Sequence, residues 1–127
     1  MLLGFNILII DDNIETANII KVFLEKDGFR VLIFNDPFSA LNYFRDHPKE
    51  NSLVISDIRL PGMNGFDLIA RMKKVEPDIK VFLVTAFDDD NISTELEKYD
   101  YEIAEIFQKP FSAENLNKTV KELLING

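Results

Sequence analysis

Two hydrophobic patterns alternate along the chain. One is a short, nearly continuous apolar run rich in β-branched residues, and the other is a longer stretch with apolar residues at helical spacing. A short continuous run is typical of a strand buried on both faces, and the longer spacing is typical of a helix with one buried face. The runs at residues 7–10, 31–34, 53–55, 81–84 and 103–107 therefore predict five strands.

Capping and breaking residues mark where the predicted helices begin and end. Asp36 and Ser112 are suited to N-caps, and Pro37 fits the first helical position after Asp36. Gly28 and Pro77 predict the ends of two further helices. The first predicted helix runs from Ile14 toward a stop at Gly28, and the second from Pro37 to near Pro48. The third and fourth cover Gly65–Lys74 and Asn91–Tyr99, and the last follows Ser112 and carries apolar residues as far as Leu124.

This alternation of strands and helices predicts an α/β fold. Right-handed crossovers between parallel strands place helices on both faces of one sheet. For five strands the expected doubly wound order is 2-1-3-4-5. The chain has 127 residues, of which 46% are hydrophobic, so we expect a single domain over residues 1–127 with its own core.

The composition excludes several classes of protein. The chain has no cysteine, so we expect no disulfide, no thiolate catalysis and no cysteine-bound zinc. A net charge of −8 repels the phosphate backbone, which argues against direct nucleic-acid binding. No apolar run approaches the ~20 residues of a membrane helix, and the N-terminus lacks the basic region of a signal peptide. A cytoplasmic protein that contacts neither membrane nor nucleic acid is therefore expected.

Polar residues follow the predicted strands at the points where they stop. Asp11 and Asp12 follow the first strand, Asp57 the third, Thr85 the fourth and Lys109 the fifth. Parallel strands end at the same edge of a sheet, and neighbouring strands lie ~4.8 Å apart. In the order 2-1-3-4-5, these side chains should therefore meet in one crevice, which is where open α/β sheets bind ligands.

Three carboxylates in one crevice need a positive counter-charge. At an effective dielectric of ~20, two charges ~4 Å apart repel by roughly 4 kcal/mol. Lys109 supplies only one positive charge, and carboxylate oxygens suit Mg²⁺, which favours a phosphate oxygen as a further ligand. The set fits phosphoryl transfer through an aspartyl-phosphate. Taken alone, Asp11 and Asp12 could instead cap a helix, and Lys109 could be a solvated surface charge.

Four motifs follow one another in a fixed order. They are Asp11-Asp12, the run from Asp57 to Gly65, Thr85-Ala86 and Lys109-Pro110-Phe111. In these motifs, their spacing and its length, the chain resembles the receiver domain of two-component response regulators. The resemblance implies a flavodoxin-like (βα)5 fold. It also implies that Asp57 accepts a phosphoryl group from a sensor histidine kinase or a phosphotransfer protein.

The resemblance also implies a set of Mg²⁺ ligands. Asp12 would bind the ion directly and Asp11 mainly through water, with Asp57 and the main-chain carbonyl of Arg59 as further ligands.

For the phosphoryl group, the resemblance implies partners on the other two strands. Lys109 would pair with the phosphoryl oxygens, and a cis bond to Pro110 would direct it into the crevice. The hydroxyl of Thr85 would move toward the phosphoryl group and act as the switch. Gly62 and Gly65 would shape the loop beside Asp57.

Some positions depart from the family pattern. Ile106 stands where the family usually has an aromatic residue, three positions before the lysine, and Phe107 follows it on the opposite side of the strand. Tyr99, Tyr101 and Ile106 are candidate members of the surface that changes its partner preference. Phe87, two residues after Thr85, is a candidate for shielding the acyl phosphate from water.

Three functions are compatible with these residues. The first is a phosphorylation-driven switch that acts on a downstream protein or an effector domain. The second is a Mg²⁺-dependent phosphatase or phosphotransferase, although Arg59 stands where such enzymes usually carry a general acid and the chain is too short for a cap domain. The third is a receiver that binds partners without phosphate. The sequence identifies neither the kinase nor the output.

Overall fold

The computed structural model describes residues 4–86 and 92–125. Its five strands are β1 (Asn6–Ile10), β2 (Arg30–Phe34), β3 (Leu53–Asp57), β4 (Lys80–Thr85) and β5 (Glu105–Gln108). Its five helices are α1 (Ile14–Lys26), α2 (Pro37–Asp46), α3 (Gly65–Val75), α4 (Ile92–Glu97) and α5 (Ala113–Leu124). The elements alternate as the hydrophobic pattern predicted.

All neighbouring strands are parallel, and their order is β2-β1-β3-β4-β5. This confirms the predicted doubly wound topology. The register pairs Asp57 with Val84, and Thr85 with Gln108. The carboxyl ends of β1, β3, β4 and β5 consequently lie along one edge of the sheet.

The sheet has a hydrophobic core on each face because its strands are apolar on both sides. One core joins the sheet to α2 and α3 through residues such as Phe44 and Met72. The other joins it to α1 and α5 through residues such as Leu24 and Val120. Among residues 4–86 and 92–125, no helix has the length and apolar character needed to cross a membrane.

Several predicted boundaries, among them those of β5, α2 and α4, were wrong by one or two residues. The fifth strand begins at Glu105, so Ile103 precedes it, although the amide of Ala104 already donates to the Val81 carbonyl. Helix α2 ends at Asp46, where the backbone amide of His47 caps it by donating to the carbonyls of two earlier residues. Helix α4 ends at Glu97, before the predicted residue 99, and position 91 lies outside the described residues.

Candidate metal and phosphate site

The three predicted acids meet at the carboxyl edge of the sheet. One carboxylate oxygen from each of Asp11, Asp12 and Asp57 lies within 4.8 Å of the other two. Asp11 and Asp57 are buried, whereas Asp12 is exposed. The cluster therefore has two acids fixed by the fold and a third at the mouth of the crevice.

Asn13 takes the capping role that Asp11 or Asp12 could have taken. Its side-chain oxygen accepts from the amide of Thr16 at 3.2 Å, so Asn13 is the N-cap of α1. The backbone amide of Asn13 donates to Oδ1 of Asp11 at 2.9 Å. The residue thus begins the helix and also orients the first acid of the cluster, which the sequence analysis missed. Its signal was an N-cap residue type directly before the first helical position.

Lys109 brings an ammonium group to the two buried acids. Its Nζ lies 3.1 Å from Oδ2 of Asp57 and 3.6 Å from Oδ2 of Asp11. The backbone places this side chain, because the Lys109 amide donates to the Thr85 carbonyl at 2.8 Å. The peptide bond to Pro110 is cis, as predicted. Phe111 then packs on Phe107 in the core below, with ring centroids 5.9 Å apart.

The three carboxylates of the cluster carry more negative charge than the nearby ammonium group of Lys109 can neutralise. Burial raises the pKa of Asp11, and repulsion from Asp57 adds to it, while the Asn13 amide and Lys109 oppose the shift. For Lys109, burial lowers the pKa, but the hydrogen bond and charge of Asp57 together with Asp11 outweigh it and raise the pKa. Three carboxylates facing one ammonium are a donor set that fits a divalent cation with oxygen ligands.

Backbone and hydroxyl groups complete the surroundings of Asp57. The amide of Arg59 donates to Oδ1 of Asp57 at 3.3 Å, while the hydroxyl of Ser56 donates to the Asp57 carbonyl at 2.8 Å. Thr85 is buried at the end of β4, and its hydroxyl donates to the carbonyl of Ala86 at 3.3 Å. The predicted roles of the Arg59 carbonyl as a ligand and of Thr85 as a switch stay predictions.

Two glycines of the loop after Asp57 are needed for different reasons. Gly62 has a positive φ of 83°, a backbone conformation that side chains disfavour. A Cβ on Gly65 would overlap the carbonyl oxygen of Asp57, so the first turn of α3 touches the backbone at the end of β3. Asn64 caps that helix by accepting from the amide of Asp67 at 2.9 Å.

The residues predicted for the switch surface are placed differently from one another. Phe107 packs against Phe82, with ring centroids 5.5 Å apart, whereas Ile106 is 36% exposed, which confirms that they face opposite sides. Tyr99 and Tyr101 are half-buried, and their hydroxyls bind α3. The prediction for Phe87 lies outside the described residues.

A largely apolar groove adjoins the lysine side of the site. It has a volume of about 460 Å³ and runs between α1 and the start of α5, with Ile19 and Ile20 on one side and Lys109 and Phe111 on the other. Ile19 is 55% exposed. The groove is thus open to an approaching molecule, and Lys109, which contacts Asp57, is one of the residues that line it.

A family model described as the response regulator receiver domain matches residues 7–121. The chain belongs to the response regulator receiver family. It is 30% identical to the transcriptional regulatory protein ZraR of Klebsiella oxytoca over 94% of its length, and 28% identical to the response regulator receiver protein CpdR of Brucella abortus over the same share. A CheY-like receiver domain protein of Methanospirillum hungatei is similar in structure, with 27% identity, a TM-score of 0.84, and coverage of 99% of this chain and 96% of that one.

The chain covers different shares of its relatives' lengths. It covers 26% of ZraR and 34% of the response regulator GtcR of Aneurinibacillus migulanus, but 96% of CpdR. As a member of the receiver family, the chain functions as a receiver domain of a two-component system, which is a signalling switch. The acidic site fits the role of a phosphoacceptor. Membership of the family does not favour a phosphatase of small molecules or a receiver that works without phosphate.

Proposed function

We propose that Asp57 is the phosphoacceptor of this receiver. The observation that carries the proposal is the convergence of three carboxylates within 4.8 Å with the ammonium of Lys109, 3.1 Å from Asp57. A carboxylate oxygen of Asp57 attacks the phosphorus of a phosphorylated histidine, so that an O–P bond forms and the P–N bond breaks. The imidazole leaves, and the product is an aspartyl-phosphate.

The other residues stabilise the charge that is transferred. Lys109 already contacts the acceptor carboxylate and pairs with the phosphoryl oxygens that arrive beside it. Thr85, at the end of the neighbouring strand, supplies a hydroxyl donor. Asp11, Asp12, Asp57 and the Arg59 carbonyl are the oxygens that would hold Mg²⁺, which when bound would neutralise the phosphoryl oxygens. The chain itself promotes the gain and the loss of its phosphate.

An intact-mass measurement tests the proposal. Incubation with acetyl phosphate and Mg²⁺ should add one phosphoryl group to the wild type and none to Asp57→Asn. Asp46→Asn is the matched control, because Asp46 ends α2 in an exposed position and should leave the reaction unchanged. Phosphate on Asp57→Asn, or none on the wild type with Mg²⁺ present, would contradict the assignment.

A protein donor should use the groove beside Lys109. A histidine-bearing helix that reaches Asp57 from this side must cover the exposed part of α1, whereas acetyl phosphate needs no such contact. Ile19→Glu should therefore slow transfer from a phosphorylated histidine phosphotransfer protein and leave labelling by acetyl phosphate unchanged. Leu32→Glu, an equal change at an exposed position on β2, is the control. Equal slowing in both variants would argue against docking on α1.

The phosphorylated chain acts on a downstream protein or an effector domain through the surface of α4, β5 and α5. Residues 1–127 form the receiver unit of this proposal, whether or not further domains accompany it. The side chains that face outward there, including Ile106, are those a partner would contact. Ile106→Ala should alter partner binding without altering phosphorylation of Asp57.

A further inference from the structure

Tyr99 and Tyr101 bind one turn of a distant helix. The hydroxyl of Tyr99 donates to Oδ1 of Asp67 at 2.7 Å, and that of Tyr101 donates to the carbonyl of Phe66 at 2.9 Å. The Tyr99 ring also stacks on Phe66, with centroids 5.7 Å apart and planes 14° apart. Two hydrogen bonds and a ring contact therefore fasten the segment between α4 and β5 to the first turn of α3.

Both hydroxyls are protonated donors at neutral pH. The hydrogen bond to Asp67, aided by burial, raises the pKa of Tyr99 to about 12. Burial raises the pKa of Tyr101 above its usual value, and the neighbouring Tyr99 and Asp67 add to the shift. One of the two acceptors is a carboxylate, which makes its hydrogen bond stronger than a neutral one.

The same turn of α3 is fixed to the backbone that carries the phosphoacceptor. The amide of Gly65 donates to the carbonyl of Ile58 at 2.7 Å, and no room for a Cβ remains between Gly65 and the carbonyl of Asp57. Gly65 immediately precedes Phe66, the residue that Tyr101 binds. Gly65 therefore joins the backbone at Asp57 and Ile58 to the two residues that accept hydrogen bonds from the tyrosines.

Among residues 4–86 and 92–125, few other contacts hold α4 in place. The helix has six residues, all within the described part of the chain, and none of them is buried. Ile92 and Leu96 contact the core while remaining partly exposed. The position of so short a helix depends on contacts made just beyond its end, which are those of Tyr99 and Tyr101.

We propose that Tyr99 and Tyr101 form a latch that holds α4 and the start of β5 on α3 in the unphosphorylated chain, and that phosphorylation of Asp57 loosens it. The second half of this inference rests on the proposed function of Asp57. The latch connects the acceptor to α4 through α3, by a route that does not include position 106. Its release would change the surface that a partner meets.

Hydrogen exchange in the unphosphorylated chain tests the latch itself. In Tyr99→Phe and in Tyr101→Phe, amides of residues 92–108 should exchange about fivefold faster than in the wild type, because each variant loses one net hydrogen bond. Tyr43→Phe is the matched control, since it removes the hydroxyl of the only other tyrosine, which lies on α2. Exchange in both variants equal to that of the control would overturn the latch.

Nuclear magnetic resonance of the same three tyrosines measures the response to phosphorylation. Their Cζ carbons give three ¹³C resonances, assigned by the three variants, which report the hydrogen bonding of each hydroxyl. Beryllofluoride with Mg²⁺, a phosphoryl mimic, should shift the signals of Tyr99 and Tyr101 and leave that of Tyr43 in place. Wild-type exchange over residues 92–108 should then approach that of a Tyr99→Phe, Tyr101→Phe double variant.

The two proposals fail in different ways. If acetyl phosphate adds mass to the wild type but the Tyr99 and Tyr101 signals stay in place with the mimic, the release of the latch is overturned and Asp57 remains the acceptor. If the wild type gains no phosphate, the proposed function is overturned. The exchange rates of the unphosphorylated variants still decide whether the latch exists.

Discussion

The two sides of the sheet edge differ in how firmly they are built. All five residues of β3, which ends in Asp57, are buried, as are four of the five in β1, which Asp11 directly follows. Neither α4 nor β5 contains a single buried residue. The proposed chemistry thus takes its two buried acids from the well-packed half, the acceptor half (β1 and β3). The proposed readout uses the loosely packed half, the output half (α4 and β5), from whose strand the chain continues directly into Lys109. A phosphoryl group needs fixed ligands, whereas a signal needs an element that moves at small cost.

Truncation of one leucine in each half tests this difference most strongly. Leu8→Ala in β1 should lower the free energy of unfolding by about 2–5 kcal/mol, because Leu8 is fully buried and a cavity remains. Leu96→Ala in α4 should cost about 1 kcal/mol or less, because that side chain is already partly in water. Urea unfolding followed by circular dichroism measures both. Similar losses would mean that the two halves are packed alike.

The contact between Gly65 and Asp57 should give the next largest effect. Gly65→Ala should cost about 2–3 kcal/mol of unfolding free energy and slow labelling by acetyl phosphate, because its Cβ would meet backbone atoms that cannot yield. Gly62→Ala is the comparison: its Cβ would meet the end of the movable Phe38 ring, so the strain at positive φ dominates, at about 1 kcal/mol. If Gly62→Ala proves the more harmful change, the close contact is not a constraint.

Mg²⁺ should stabilise the acceptor half. If the ion binds only the folded chain, a concentration ~100 times its Kd adds about 2.7 kcal/mol to the free energy of unfolding. Thermal melts with and without millimolar Mg²⁺ should therefore differ for the wild type and hardly at all for Asp12→Asn. Asp46→Asn should respond like the wild type. An equal rise in melting temperature for Asp12→Asn would place the ion elsewhere.

The smallest predicted effect concerns an acid far from the site. The hydrogen bond from Asn117, aided by Lys121, lowers the pKa of Asp27 at the end of α1. A lowered folded-state pKa gives stability that is present above the unfolded value of ~3.9 and is lost as the pH falls through the folded value. Because Asp27 is partly exposed and screened by water, this amounts to about 0.5 kcal/mol or less.

Urea unfolding of the wild type and Asp27→Asn at pH 7 and pH 3 measures this contribution. The difference between the two proteins should shrink at the lower pH. Glu25→Gln, a charge removal on an exposed position of α1, is the control. A difference that stays constant with pH would show that the carboxylate charge of Asp27 is not involved.

The sequence predicted the structure best where strands are covered by helices on both faces of the sheet. Continuous apolar runs predict strands buried on both faces, and their alternation with helices predicts a doubly wound sheet. The carboxyl edge of that sheet then brings Asp11, Asp57 and Lys109 together. The sequence predicted the structure least well where contacts between residues distant in the sequence determine the conformation. The hydrogen bond of Tyr99 to Asp67 joins residues that are 32 positions apart, and no local pattern signals it. The start of β5 was predicted two residues too early for a related reason. Ile103 is apolar because it packs against the core, but it precedes the strand.

The outer edge of the sheet at β5 has a consequence for assembly. This strand is only four residues long, and Glu105 and Gln108 leave it polar and exposed. A short polar edge strand is a poor template for another chain's backbone, so this edge disfavours strand pairing between copies of the protein. Molecules that come to this side must therefore recognise side-chain shape and charge, which a change of conformation can alter.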